Sequence, residues 1–363
     1  MENIMIASSN VISVPPPPSK EATLKEQAII INRQKNIDSA IIKEIHYWNA
    51  GPPAYRWQII ADELHDTAQY WGRVYPYMNA AIFDATITAW NAKFKYNRIR
   101  PFEAIIAIKN LVPVSVNPSY PCEHSVTAGA SATVLGYLFP SKKDSLIQLA
   151  KKAGESRIAV GLQYPSDVEA GFVLGVKVGE QVIEKAKSDG YDKAWAGTVP
   201  KGREFYTGRT MKKDLANMKP WILDFQSQFR SPPPPDIEKD MQEMKAFKPD
   251  YAAMARAFKW EFSWPWGDVV DQKIFEYNLT GNAPRAAFIY ALTSISDYEN
   301  QLAHWDGKYT YYRARPDQYD TTYKAVFKTP TSPPILQDMV LWVIQGLRFF
   351  LIYFHLIKNN FMP

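Results

Sequence analysis

The sequence predicts an all-α protein that is internally duplicated, and three observations carry this. From Trp57 to Trp90 apolar residues recur at three- and four-residue steps, interrupted by a single proline, Pro76, which is the period of a helix with one buried face. No stretch of any length alternates apolar and polar residues with the period of a strand. Finally, a segment from Trp90 through Lys93, Tyr96, Arg98 and Arg100 to Pro101 recurs without a gap, 215 positions later, as Trp305, Lys308, Tyr311, Arg313, Arg315 and Pro316. Upstream, Asp84 aligns with Glu299. Six identities in so short a window point to a duplicated helical unit.

Residues 1–37 read as a flexible N-terminal segment. Met1 to Ser13 carries no Lys or Arg, so it lacks the charged start of a secretory signal. Pro15 to Pro18 then form a stiff extended run. Residues 38–190 read as the first helical unit. Within it, Ser141 with Asp144 and Ser166 with Glu169 have the spacing of helix N-caps. Gly171, Gly175 and Gly179 follow at four-residue steps, a spacing that lets two helices approach closely. Residues 191–260 read as a connector. Pro200, Gly202, Gly208, Pro220 and the run Pro232 to Pro235 break regular structure, while Trp195, Phe205, Tyr206, Trp221 and Phe225 supply anchors. Helical character resumes at Asp236. Residues 261–334 begin the second unit, and residues 335–363 form an apolar tail. Ile335 to Ile357 reaches the ~20 residues of a membrane span, but Asp338, Gln345, Arg348 and His355 interrupt it, and each is costly in lipid. This argues against a membrane anchor.

Composition narrows the function classes. The chain has 363 residues, 46% hydrophobic and 14% aromatic, too apolar for a disordered chain. One cysteine, Cys122, excludes an internal disulfide, and five His leave little room for a His-cluster metal centre. The net charge of +5 suits a small anionic ligand better than a nucleic acid, which needs a dense basic stripe.

The repeated motif supplies the chemistry. Lys, six residues, then Arg-Pro places two cations at a helix end and in the extended segment after it, because proline pushes the preceding residue out of helical conformation. A planar guanidinium fork and a point-charge ammonium together suit a tetrahedral oxyanion. Downstream lie Pro118-Ser119-Tyr120-Pro121-Cys122-Glu123-His124 and then Ser156-Arg157 with Gln163 and Asp167. With these three parts in order, the chain resembles the superfamily of vanadium-dependent haloperoxidases and type-2 phosphatidic acid phosphatases. The stretch from Trp195 to Pro232 and the stretch Gln272 to Tyr277 resemble its bacterial haloperoxidase-like branch.

The resemblance implies two helical bundles, one of which holds vanadate or a substrate phosphate. It implies halide oxidation by hydrogen peroxide, with acid-phosphatase-type hydrolysis of a phosphoester or diphosphate as the alternative, and members are often exported. Carried over residue by residue, Lys93, Arg100 and Arg157 are the oxyanion cations of the first copy. His124 is the candidate acid or base, and Asp167 is the orienting carboxylate. Three positions depart from the pattern. Cys122 and Glu123 stand where the family has Ser and Gly, and Gln163 stands where it has the axial or nucleophilic His. An amide neither forms a phospho-enzyme nor ligates vanadium well. The first copy therefore reads as degenerate and structural, with Glu123 paired to Arg100 or Arg157. In the second copy Lys308, Arg313 and Arg315 are the oxyanion cations, but the expected Tyr-Pro-x-Gly-His never arrives. The second bundle reads as truncated, the catalytic site as incomplete, and a catalytically inactive scaffold as a further alternative; an incomplete site would hold no vanadate.

The tail has its own reading. Taken one nucleotide out of frame, the codon junctions of Pro334 to Met339 permit Tyr-Pro-Ala-Gly-His. Those of Arg348 to His355 permit Val-Leu-Ser-Tyr-Leu-Phe-Pro. The first copy has Tyr120 to His124 and Val134 to Pro140 at the same spacing. A frameshift within the second copy is the expectation, and the nucleotide sequence across the Pro333 codon tests it.

Overall fold

The computed structural model describes residues 4–5, 12–64, 71–109, 111–114, 116–193, 195–208, 215, 217–262, 265–326 and 328–334. The tail from residue 335, with its predicted frameshift, lies outside the described residues. The fold is all-α. Among the described residues the only ladder contact is a single antiparallel bridge between Phe205 and Arg313. No helix among them is long and apolar enough to cross a membrane.

The helices are α1 Lys20–Lys35, α2 Ser39–Asn49, α3 Tyr55–Leu64, α4 Trp71–Tyr96, the single turn α5 Pro101–Ala104, α6 Glu123–Leu138, α7 Lys143–Ala159 and α8 Pro165–Ala186. They continue with α9 Ile237–Ala246, α10 Tyr251–Phe262, α11 Pro265–Glu276, α12 Ala283–Tyr311 and the single turn α13 Pro316–Tyr319. The chain forms two compact units, residues 1–188 with 270–294, and residues 189–269 with 295–363.

The first unit is organised around α6. Its sequence is rich in small residues, and Ser125 to Ala132 are all buried, so it packs on several sides at once, against α4, α7 and α8. The glycine spacing in α8 is what permits this. A Cβ at Gly175 would stand 2.1 Å from the Val126 carbonyl oxygen, and one at Gly171 would stand 2.5 Å from that of Cys122. The two backbones are in contact, as the spacing predicts.

Local starts differ from the predicted caps. Pro140–Lys142 forms a 3-10 turn and α7 begins at Lys143, so Ser141 caps nothing. Pro165 takes the first position of α8, which suits its fixed φ and missing N–H. Tyr164 is therefore the N-cap, and Asp167 rather than Glu169 accepts from its backbone N–H. Residues 20–35, expected within a flexible segment, form α1, capped by the Ser19 side chain accepting from Ala22 N.

The second unit has an aromatic core. Tyr206, Leu215 and Met218 from the connector pack with Tyr298, Leu302, Trp305, Tyr309 and Tyr312, with Trp195, Phe205 and Trp221 against them. The expected anchors Trp195, Phe205, Tyr206 and Trp221 thus order this stretch, whereas Phe225 is exposed. The Asp236 side chain caps α9 where the sequence places the return of helix.

Candidate functional site

The predicted first-copy residues converge at the C-terminal end of α4 and the N-terminal end of α6. Asn97 ends α4 in the left-handed region (φ 45), a conformation Asn tolerates. The chain then turns extended through Arg100, ahead of Pro101. This brings Lys93 and Arg100 onto the same carboxylate. Lys93 Nζ lies 2.7 Å from Glu123 Oε2 and Arg100 Nη2 lies 3.4 Å from Glu123 Oε1. All three side chains are buried. Lys93 also donates to the carbonyls of Pro118 (2.5 Å) and Ser119 (3.3 Å). Arg100 donates through Nε to Asn117 O, through Nη2 to Asn117 Oδ1, both at 2.7 Å, and through Nη1 to Leu162 O.

Burial alone would raise the Glu123 carboxyl pKa, but Lys93 and Arg100 outweigh it and hold the group well below the usual carboxylate range. Glu123 is an ionised carboxylate placed between two cations, Lys93 and Arg100. Of the two partners the sequence proposed for it, Arg100 is correct and Arg157 is not, while Lys93 is the closer one. Arg157 donates to Asn49 Oδ1 (2.8 Å) and Ile45 O (3.1 Å). Its burial lowers its pKa to about 10.

His124 is half-buried, and its Nε2 is sealed from solvent with no hydrogen-bond partner among the described residues. Burial first, and then the nearby Arg157 charge, pushes its pKa down to about 3, so the ring is neutral at physiological pH. Gln163, at the expected nucleophile position, is buried and engaged on both sides. With its amide oriented to satisfy its neighbours it donates to Ser119 O at 2.6 Å and accepts from Arg100 Nη1 at 2.5 Å. Asp167 accepts from Arg98 Nη1 (2.6 Å), Ser119 Oγ (2.5 Å) and Tyr164 N (2.8 Å). It orients Ser119 and the α8 cap, with no histidine to orient.

The second-copy cations separate into two roles. Arg315 repeats the pose of Arg100: Nε donates to Ser332 O at 2.7 Å and Nη2 to Ser332 Oγ at 3.2 Å. Lys308 is buried beside Trp305, its Nζ 4.8 Å from that ring centroid. Arg313, expected among the oxyanion cations, is instead paired with Asp240 at 2.7 Å. Its counterpart Arg98 is paired likewise, with Glu26 (2.9 Å) and Asp167. The first Arg of each motif ties the motif to an earlier helix, Arg98 to α1 and Arg313 to α9. Sequence reasoning missed Arg98, Glu26, Ser119 and Asn117 as site residues. The identity of Arg98 with Arg313 was the available signal for one of them.

Vanadate does not fit the first pocket. The Glu123 carboxylate takes the place between Lys93 and Arg100, and the ligand position is a hydrogen-bonded amide. Among the described residues no group of His, Cys, Asp and Glu side chains is placed to hold a metal ion.

In this all-helical bundle Lys93 and Arg100 are gathered around one carboxylate. Residues 74–182 match the PAP2 superfamily, and this part of the chain is a PAP2-superfamily domain. The chain is 36% identical over 88 residues to a non-specific acid phosphatase of Providencia stuartii, covering 23% of this chain and 36% of that protein. It is 42% identical over 57 residues to a lipid A 1-phosphatase of Rhizobium etli, covering 16% and 25%. The matches thus span about a third or less of these relatives' lengths. A solved bacterial vanadium-dependent iodoperoxidase is similar at a TM-score of 0.45 and 22% identity, over 51% of this chain and 58% of that one.

Proposed function

We propose that the chain derives from a PAP2-type phosphoester hydrolase, with residues 74–182 as its non-turnover half, an oxyanion pocket permanently occupied by its own Glu123. The single observation behind this reading is the Glu123 carboxylate set between Lys93 and Arg100. Hydrolysis through a phospho-enzyme needs a nucleophile that can accept phosphorus, and Gln163 cannot. Phosphate-ester rather than halide chemistry is favoured because the curated relatives the chain matches bear phosphatase names. Lys308 and Arg315 mark the copy in which a substrate phosphate would be received.

Hydrolysis of p-nitrophenyl phosphate tests this. The double variant Glu123→Gly with Gln163→His empties the pocket and supplies a nucleophile. It is expected to release phosphate and to trap a phosphohistidine at 163, while neither single variant does either. Turnover by the parent chain that disappears in Lys93→Met would overturn the reading.

A further inference from the structure

The duplication reaches further upstream than the motif. In the first unit the Asp84 carboxylate is buried and accepts two backbone amides from the chain start, Ile4 N at 2.6 Å and Met5 N at 2.7 Å. In the second unit the aligned Glu299 is buried and accepts two backbone amides from the connector, Trp221 N at 2.6 Å and Leu223 N at 2.9 Å. Twelve residues along each helix the aligned tyrosines bond the same segments again. Tyr96 OH donates to Val14 O at 2.7 Å, and Tyr311 OH donates to Ser231 O at 2.5 Å. Each acceptor carbonyl directly precedes a four-proline run, Pro15 to Pro18 or Pro232 to Pro235, and each run leads into a helix, α1 or α9. That helix then carries the carboxylate, Glu26 or Asp240, that pairs with the first Arg of the motif.

We infer that residues 219–235 are a strap belonging to the second copy, equivalent to residues 4–5 and 12–18 of the first, and that Glu299 is a positioning residue for Lys308 and Arg315. The geometry supplies the reason. Twelve helical residues span about 18 Å, so each strap grips its helix at two well-separated points. The Lys of the motif lies between those points, three residues before the tyrosine. Nine residues separate the acid from the Lys, two and a half turns, so acid and Lys face opposite sides of the helix. The acid anchors the strap on the back of the helix, the tyrosine anchors it on the flank, and the front presents the cation. A buried carboxylate that accepts two amides is lost only with its desolvation uncompensated, so the brace is fixed in both register and direction. The proline run removes backbone freedom between the brace and the next helix. The Arg pairs carry the constraint on into the turn that holds Arg315. The positioning role rests on the reading of Lys308 and Arg315 as the phosphate-receiving cations; the strap itself does not.

Amide hydrogen exchange on the full chain tests the inference without any need for turnover. Glu299→Ala and, independently, Leu223→Pro, which removes one donor and leaves the carboxylate, are each expected to speed exchange at least tenfold in residues 221–231 and 308–315. Residues 4–5, 12–14 and 93–100 are expected to be unchanged. Asp84→Ala reverses the pattern, and Glu299→Asp retains the parent protection. Unchanged exchange in residues 221–231 in both Glu299→Ala and Leu223→Pro overturns the strap. Acceleration spread evenly over residues 189–334 overturns the positioning role and leaves Glu299 a general stabiliser. Failure of the phosphatase assay leaves the exchange pattern as it is, so the two readings fail separately.

Discussion

Replacing Glu123 by Gln keeps the shape of the pocket and removes the carboxylate that Lys93 and Arg100 share. Lys93 and Arg100 are then two buried cations without a counter-charge. Removing one partner of a buried pair costs about 3–5 kcal/mol. Lys93 keeps the carbonyls of Pro118 and Ser119, and Arg100 keeps Asn117 and Leu162, which places the loss near the lower figure, about 3 kcal/mol. At about 2–4 °C per kcal/mol for a unit of this size, differential scanning calorimetry should show a fall in Tm of roughly 6–12 °C. An added oxyanion should reverse it. Inorganic phosphate at a hundredfold excess over its dissociation constant returns about 2.7 kcal/mol, and it should do so in the variant while leaving the parent Tm where it was. The pH dependence has a definite sign. The Glu123 carboxyl pKa is depressed in the folded state from an unfolded value of about 4.3, so the unfolded chain takes up the proton first. The stabilisation is therefore complete above about pH 5 and is lost as pH falls through the folded value, and the gap between parent and variant should narrow below about pH 4. An unchanged Tm in Glu123→Gln, or equal stabilisation of parent and variant by phosphate, refutes the ion-pair reasoning.

Further expectations follow from the same geometry. Gly175→Ala drives a methyl group to 2.1 Å from a backbone oxygen and should cost about 3 kcal/mol or more in urea unfolding. Gly281→Ala, with nothing within 4 Å, should stay within about 0.5 kcal/mol of the parent. The His124 ring signals in NMR should not titrate between pH 5 and 8, since its folded pKa lies at about 3. The unfolded ring protonates near 6.5, so this residue lowers stability as pH falls from about 6.5 towards 3, and a His124 midpoint near 6.5 in the native protein would contradict the burial assigned to its Nε2. Arg98→Met strands the buried Asp167 carboxylate and leaves the half-buried Glu26 unpaired with it, and should cost about 3–5 kcal/mol. Lys25→Met, which breaks an exposed i,i+4 pair with Glu21, should cost less than about 0.5 kcal/mol.

The cationic motif was legible in the sequence because it occurs twice, and the close packing of α6 on α8 because only glycine at positions 171 and 175 allows it. The pairing of Glu123 with Arg100 was legible from a carboxylate standing among motif cations. What the sequence did not yield depends on contacts between distant residues. Arg98 and Glu26 are 72 positions apart, so nothing local separates the role of Arg98 from that of Arg100, and the pairing of Arg313 with Asp240 is hidden for the same reason. The caps at Ser141 and Ser166 failed because Pro140 and Pro165 shift where each helix can begin. The N-terminal segment has no helical periodicity strong enough to announce α1, whose order comes from Glu26 reaching Arg98 and Ser166.

The most direct measurement is a crystal structure of the parent chain grown in high phosphate. The Glu123 carboxylate is expected between Lys93 Nζ and the Arg100 guanidinium, with no phosphate in that position. Phosphate bound there with Glu123 turned away would contradict the claim that the chain supplies its own anion.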